Sequence, residues 1–104
     1  MIIVYVTCPS KKEAEKIASS LLKKRLAGCC NIFPVSSRYL WKGKIESAKE
    51  HALIIKTSEK YFKKVESEIK KLHSYQIPTI EGWKVTHAEK NYAKWFDTEM
   101  KYYK

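Results

Sequence analysis

Three cysteines and three histidines carry most of the reactive chemistry this chain offers: Cys8, Cys29 and Cys30, and His51, His73 and His87. Imidazole and thiolate together form a donor set that suits copper or zinc. A thiol within reach of a histidine could instead serve as a nucleophile activated by a base. Adjacent residues on a strand point to opposite faces, so only one of Cys29 and Cys30 can face any given site, and the two are implausible disulfide partners. All three are read as reduced thiols. His73 falls at the end of a helical pattern, where a histidine commonly offsets the helix dipole; metal coordination is the sharper reading.

Other catalytic signatures are missing. With only Gly28, Gly43 and Gly82, the chain can build neither a P-loop nor a dinucleotide fingerprint. No G-x-S-x-G elbow, H-E-x-x-H pair or C-x-x-C pair occurs. Twenty-one Lys and Arg against eleven Asp and Glu leave a net charge of +10, a field that attracts nucleic acid, anionic metabolites or acidic surfaces. Much of that charge lies in helical stretches such as Lys23-Lys24-Arg25, Lys63-Lys64 and Lys70-Lys71, where it forms a solvated face.

The elements that must position these groups follow from pattern and length. At 104 residues, 44% hydrophobic and 31% charged, the chain reads as one globular domain over residues 1–104. A chain this short buries a modest share of its surface, a shortfall that oligomerisation offsets. No apolar stretch reaches the ~18 residues of a membrane span, and the opening lacks signal-peptide features, so the expected compartment is cytoplasmic. Residues 2–8 form a buried strand broken by Pro9. Ser10 with Glu13 gives a capping-box start to a first helix, with Ala14, Ile17, Ala18, Leu21 and Leu22 at helical spacing and Gly28 as its stop. Cys29 to Trp41 reads as a long strand with a bulge or bend at Pro34, followed by a tight turn at Lys42-Gly43-Lys44 and a return arm ending at Lys56-Thr57. These arms are longer than one small sheet requires, so the tip at Gly43 is expected to project and meet a neighbour.

Ser58 is the expected cap of a second helix with the stripe Phe62, Val65, Ile69 and Leu72. A last strand is expected from Thr79 to Thr86, with Trp83 and Ile80 on opposite faces, then a closing helix from Ala88 carrying Tyr92, Trp95, Phe96 and Met100. The order βαββαβ plus a C-terminal helix predicts an α+β fold, a four-stranded antiparallel sheet with helices on one face and the other face open. Such a sheet is also the platform of RNA-recognition domains. Here the third strand, His51 to Thr57, is apolar on both faces and lacks that signature, so nucleic acid is not the expected partner.

Several segments in order resemble the CutA family of divalent-cation tolerance proteins: Thr7-Cys8-Pro9, the segment Leu26 to Ile32, Tyr39 to Ile45, Ile54-Ile55-Lys56-Thr57, His73 to Pro78, and Tyr92-Ala93-Lys94-Trp95. The resemblance spans nearly the whole chain. It implies a ferredoxin-like subunit in a homotrimer built through the long hairpins, a link to copper and other divalent metals, and no enzymatic reaction. In copper-binding members the ligands are a Cys one residue before the Thr and two adjacent His. Those positions here hold Val6, Leu72 and His73, so only His73 matches, with Cys8 two residues beyond Val6 as a substitute on the same side of an extended strand. No cofactor is required; Cu(II) or another divalent cation is the expected ligand. The family trimer also resembles PII signalling proteins, which implies a second reading in which Lys56, Tyr75 and Trp41 line an inter-subunit cleft for a small anion or a protein partner.

Overall fold

The computed structural model describes residues 1–102. Strand β1 spans Ile2–Cys8, helix α1 Lys11–Lys23, β2 Cys29–Trp41, β3 Lys44–Thr57, helix α2 Phe62–Leu72, β4 Ile80–Lys84 and helix α3 Lys90–Tyr102. The four strands form one sheet in the order β2-β3-β1-β4, and every neighbouring pair is antiparallel.

Side-chain alternation divides the sheet into two unlike faces. Ile2, Val4, Val6 and Cys8 of β1 lie on the same face as Leu53, Ile55 and Thr57 of β3, and all seven are buried with Ala14, Ile17 and Leu21 of α1 and Val65 and Ile69 of α2. The reverse face carries Ile3, Tyr5 and Thr7, then Ala52, Ile54 and Lys56, then Phe33, and Trp83 from β4. Phe33 is 36% and Trp83 50% exposed, so this face keeps apolar area in water. It is not wholly open, as the element order implied. Tyr75 bonds to Glu50 there, and Tyr92 of α3 reaches Lys56.

The long hairpin is continuous. Its register runs unbroken from Cys29 opposite Lys56 to Trp41 opposite Lys44, and Pro34 sits opposite His51 with no bulge. The expected bulge fails because β2 is an edge strand, where a missing N–H costs no ladder bond if it faces outward. Lys42 (φ 50°) and Gly43 (φ 79°) both take left-handed conformations, the geometry of a two-residue turn whose twist matches the arms. The arms beside the basic turn expose apolar side chains, with Leu40 74% and Ile45 68% exposed. The radius of gyration is 14.4 Å, against about 13 Å for a compact chain of ~100 residues.

Four boundaries differ from the sequence expectation. Helix α1 ends at Lys23, not at Gly28: Arg25 takes the left-handed position (φ 57°) and Leu26 N–H donates to the Leu21 carbonyl at 2.9 Å, closing a Schellman-type end. Gly28 answers a different need, since a Cβ there would lie 3.0 Å from two ring carbons of Phe96. Ser58 makes no side-chain cap; a 3-10 turn over Glu59–Tyr61 leads into α2 instead. Strand β4 stops at Lys84 and α3 starts at Lys90, both shorter than the pattern suggested, because β4 pairs with β1 only between Ile80 and Lys84.

Candidate functional site

Strand β1 stays extended through Cys8, so Cys8 shares the core-facing side with Val6 and both are fully buried. The turn at Pro9-Ser10 then delivers the first turn of α1 beside the end of that strand. Ser10 Oγ accepts from Glu13 N–H at 3.2 Å, which is half of the capping box. The Glu13 carboxylate goes elsewhere: its Oε2 accepts from the Ser74 N–H and the Ser74 hydroxyl, each at 3.2 Å. Helix α2 ends against the same spot, with His73 as an extended C-cap whose N–H donates to the Ile69 carbonyl.

Cys8, Glu13 and His73 therefore converge, with one donor atom from each lying within 4.8 Å of the others. Val6 and Leu72, which occupy the other family ligand positions, have no ligand atom to offer; Val6 is core and Leu72 packs against it. His51 pairs across the ladder with Cys8 and Pro34, and exposed His87 lies beside the Thr86 hydroxyl; neither joins the group.

The hydrogen bonds fix the state of His73. Nε2 lies 2.7 Å from the Thr7 carbonyl, which can only accept, so Nε2 carries the proton. Nδ1 accepts from the Tyr75 N–H at 3.0 Å, so it holds a lone pair. Both ring nitrogens are thus engaged by the backbone. Glu13 Oε2 stands 3.5 Å from Nδ1, an ion pair only if that nitrogen gained a proton. The Cys8 thiol is pushed up to about 12, first by burial and then by the negative Glu13 and Glu50. Cys30 is likewise pushed up to about 12 by burial, with Cys29 adding to the effect.

The other named residues separate into two places. Trp41 and Tyr75 line one groove of about 600 Å³ on the reverse face, together with Thr7, Tyr39, Glu46 and Glu50. Lys56 lies toward the opposite end of β3, where its Nζ donates to the Tyr92 hydroxyl at 3.0 Å and sits 5.0 Å from that ring's centre. Within one chain, then, the cleft residues do not form a set, and no Lys or Arg lines the groove. The sequence reading gave Glu13 a capping role alone and did not single out Glu50. Glu50 had a usable signal, because it shares strand parity with Ala52 and Ile54 and so must face the same way.

A four-stranded antiparallel sheet with two helices packed on one face, a long two-stranded hairpin and a thiol–carboxylate–imidazole cluster defines a small α+β protein. The family model described as CutA1 divalent ion tolerance protein matches residues 2–99, and the chain belongs to that family. The divalent-cation tolerance protein CutA of Pyrococcus horikoshii is 42% identical over 101 residues, 97% of this chain and 99% of that protein. The solved structure of the periplasmic divalent cation tolerance protein CutA from Archaeoglobus fulgidus superposes with a TM-score of 0.93 at 43% identity, covering 97% of this chain and all of that one (100%). The chloroplastic protein CutA of Arabidopsis thaliana is 35% identical over 90% of this chain and 52% of its own length. No helix among the described residues is long and apolar enough to cross a membrane.

Proposed function

We propose that this protein serves divalent-ion tolerance as a homotrimer of ferredoxin-like subunits, each binding a divalent cation weakly through Cys8, Glu13 and His73. The convergence of those three donors within 4.8 Å carries the reading. Thiolate, carboxylate and imidazole together suit Cu(II) or Zn(II) better than a hard cation. No reaction is proposed at the ion.

Weak binding follows from what the residues already do. Cys8 must lose a proton it holds up to about 12. His73 Nδ1 must release the Tyr75 N–H, and Glu13 must loosen its hold on Ser74. Because the ion displaces a proton, affinity should rise with pH. The exposed apolar side chains of Leu40 and Ile45 and the reverse face with Phe33 and Trp83 support self-association. The three free thiols, two of them held protonated, are consistent with a reducing, cytoplasmic compartment.

Calorimetric titration of Cu(II) and Zn(II) into the protein, Cys8→Ser and Glu13→Gln tests the site. Binding should weaken in both variants, and equal binding by all three proteins would remove this cluster from the function. Light scattering that returns a monomer at micromolar concentration would end the trimer.

A further inference from the structure

The outward face of α2 carries a stripe of one sign. Lys60 in the turn before it, then Lys63, Lys64, Lys70 and Lys71, stand three, four and seven residues apart, which sets them side by side with only Ser67 between them. Val65 and Ile69 take the buried face of the same helix. The side chains of Lys63, Lys70 and Lys71 are 88%, 61% and 69% exposed. Lys24, the C-cap of α1, widens the stripe from the neighbouring helix, its Nζ 2.8 Å from Glu68.

These six lysines share two carboxylates. Glu66 lies between Lys63 at 3.6 Å and Lys70 at 4.0 Å, and Glu68 lies between Lys24 and Lys71. Lys60 and Lys64 enter no ion pair among the described residues; both stand over the Tyr61 ring, 5.2 Å and 5.9 Å from its centre. Like charges at such spacings weaken a helix, and an anion lying along the stripe would relieve their repulsion. An open hollow of about 320 Å³ between Lys63, Lys64 and Lys71, which Ser67 also lines, gives that anion a seat.

The composition of the face selects among anions. Protein partners favour arginine and aromatic anchors and leave lysine out. A helix lying on a membrane sets bulky apolar groups beside its lysines. Single-stranded nucleic acid needs exposed rings on which its bases stack. Here Tyr61 is buried, and Arg25 is turned to Glu99 on α3. What the face offers is a row of mobile point charges with a hydroxyl among them, the donors that meet a duplex backbone. From Lys63 to Lys71 the helix rises about 12 Å. One strand of a duplex carries a charge about every 3.4 Å, so about three or four phosphates come within reach. The sequence pI of about 9.5 fits the same partner. A duplex needs no aromatic platform, so the apolar β3 does not bear on this face.

We infer that the outer face of α2, with Lys24 of α1, binds the phosphate backbone of double-stranded DNA without reading its sequence. The face lies on the helix side of the sheet, away from the reverse face and the hairpin arms through which copies of the chain are proposed to pack, and it stays open in that assembly.

Fluorescence anisotropy of a labelled, mixed-sequence DNA duplex of about two helical turns, titrated with the protein, tests this. Binding in the micromolar range is expected at low salt. Affinity should fall about a hundredfold between about 50 and 200 mM salt, as counterion release from about four phosphates requires. Lys63→Gln/Lys64→Gln should flatten the slope of log affinity against log salt by about two. Lys90→Gln/Lys94→Gln on α3 removes the same charge and should leave that slope unchanged. No binding at low salt, a salt slope near zero, or an equal loss in both double variants would each overturn the assignment. Preference for phosphatidylserine vesicles over the duplex, or equal competition by poly-glutamate, would overturn it too, assigning the face to a membrane or to an acidic protein.

Discussion

His73 at the end of α2 donates its Nε2–H to the carbonyl of Thr7, 66 residues earlier in β1, across 2.7 Å. With Nδ1 accepting from the Tyr75 N–H, the ring is a buried strut between the end of a strand and the loop leaving a helix. The residue most suited to hold a metal is thus already employed in holding the fold. Replacing it with alanine leaves a buried carbonyl and an N–H unmet, which should cost about 1–3 kcal/mol. Urea unfolding should show a lower midpoint at an unchanged slope; a variant as stable as the parent would show that the bond is incidental.

The cysteines should differ sharply toward a thiol reagent. Cys8 and Cys30, both held protonated up to about 12, offer almost no thiolate at pH 8. Native protein should label at no more than the partly buried Cys29, with the remaining thiols appearing only in denaturant. Rapid native labelling of Cys8, located by mass spectrometry, would contradict its placement. Because the folded thiols titrate higher than unfolded ones, their contribution to stability is complete below about pH 8.5 and is lost as pH rises toward 12.

Acid should act through Glu68. The Lys24 ammonium at 2.8 Å, and then the Ser20 hydroxyl at 2.6 Å, hold its carboxyl below the ordinary range. A depressed folded pKa means stability that is present above the unfolded value near 4.3 and is lost as pH falls through the folded one. Glu68→Gln should flatten the acid limb of a stability-against-pH curve, and an unchanged limb would assign acid sensitivity to another group.

Gly28→Ala should destabilise despite raising local stiffness. The added methyl meets two Phe96 ring carbons at 3.0 Å, and shifting a fully buried ring costs about 1–3 kcal/mol. Thermal unfolding checks this, and a companion Phe96→Leu change should recover part of the loss.

Much of the fold was legible in the sequence because its signals are local. The Ser10 cap, the apolar period through Ala14, Ile17 and Leu21, and the turn at Gly43 each act within a few residues. Misplaced boundaries came where tertiary contact overrides local preference. Gly28 resembles a helix stop, yet it is glycine because Phe96 lies against it. Glu13 fits a capping box, yet its carboxylate is claimed by Ser74, 61 residues away.

The sequence by itself determined the order of elements, the length of the hairpin, the family and the free state of the cysteines, all of which follow from periodicity, turn chemistry and ordered motifs. Only the tertiary structure decided that Cys8, Glu13 and His73 meet, that both His73 nitrogens are occupied, and that Lys56 donates to the Tyr92 hydroxyl of its own chain. Those outcomes depend on contacts between residues far apart in the chain, and burial holds the Cys8 thiol protonated. Neither the contacts nor the burial exists until the helices and the sheet have packed.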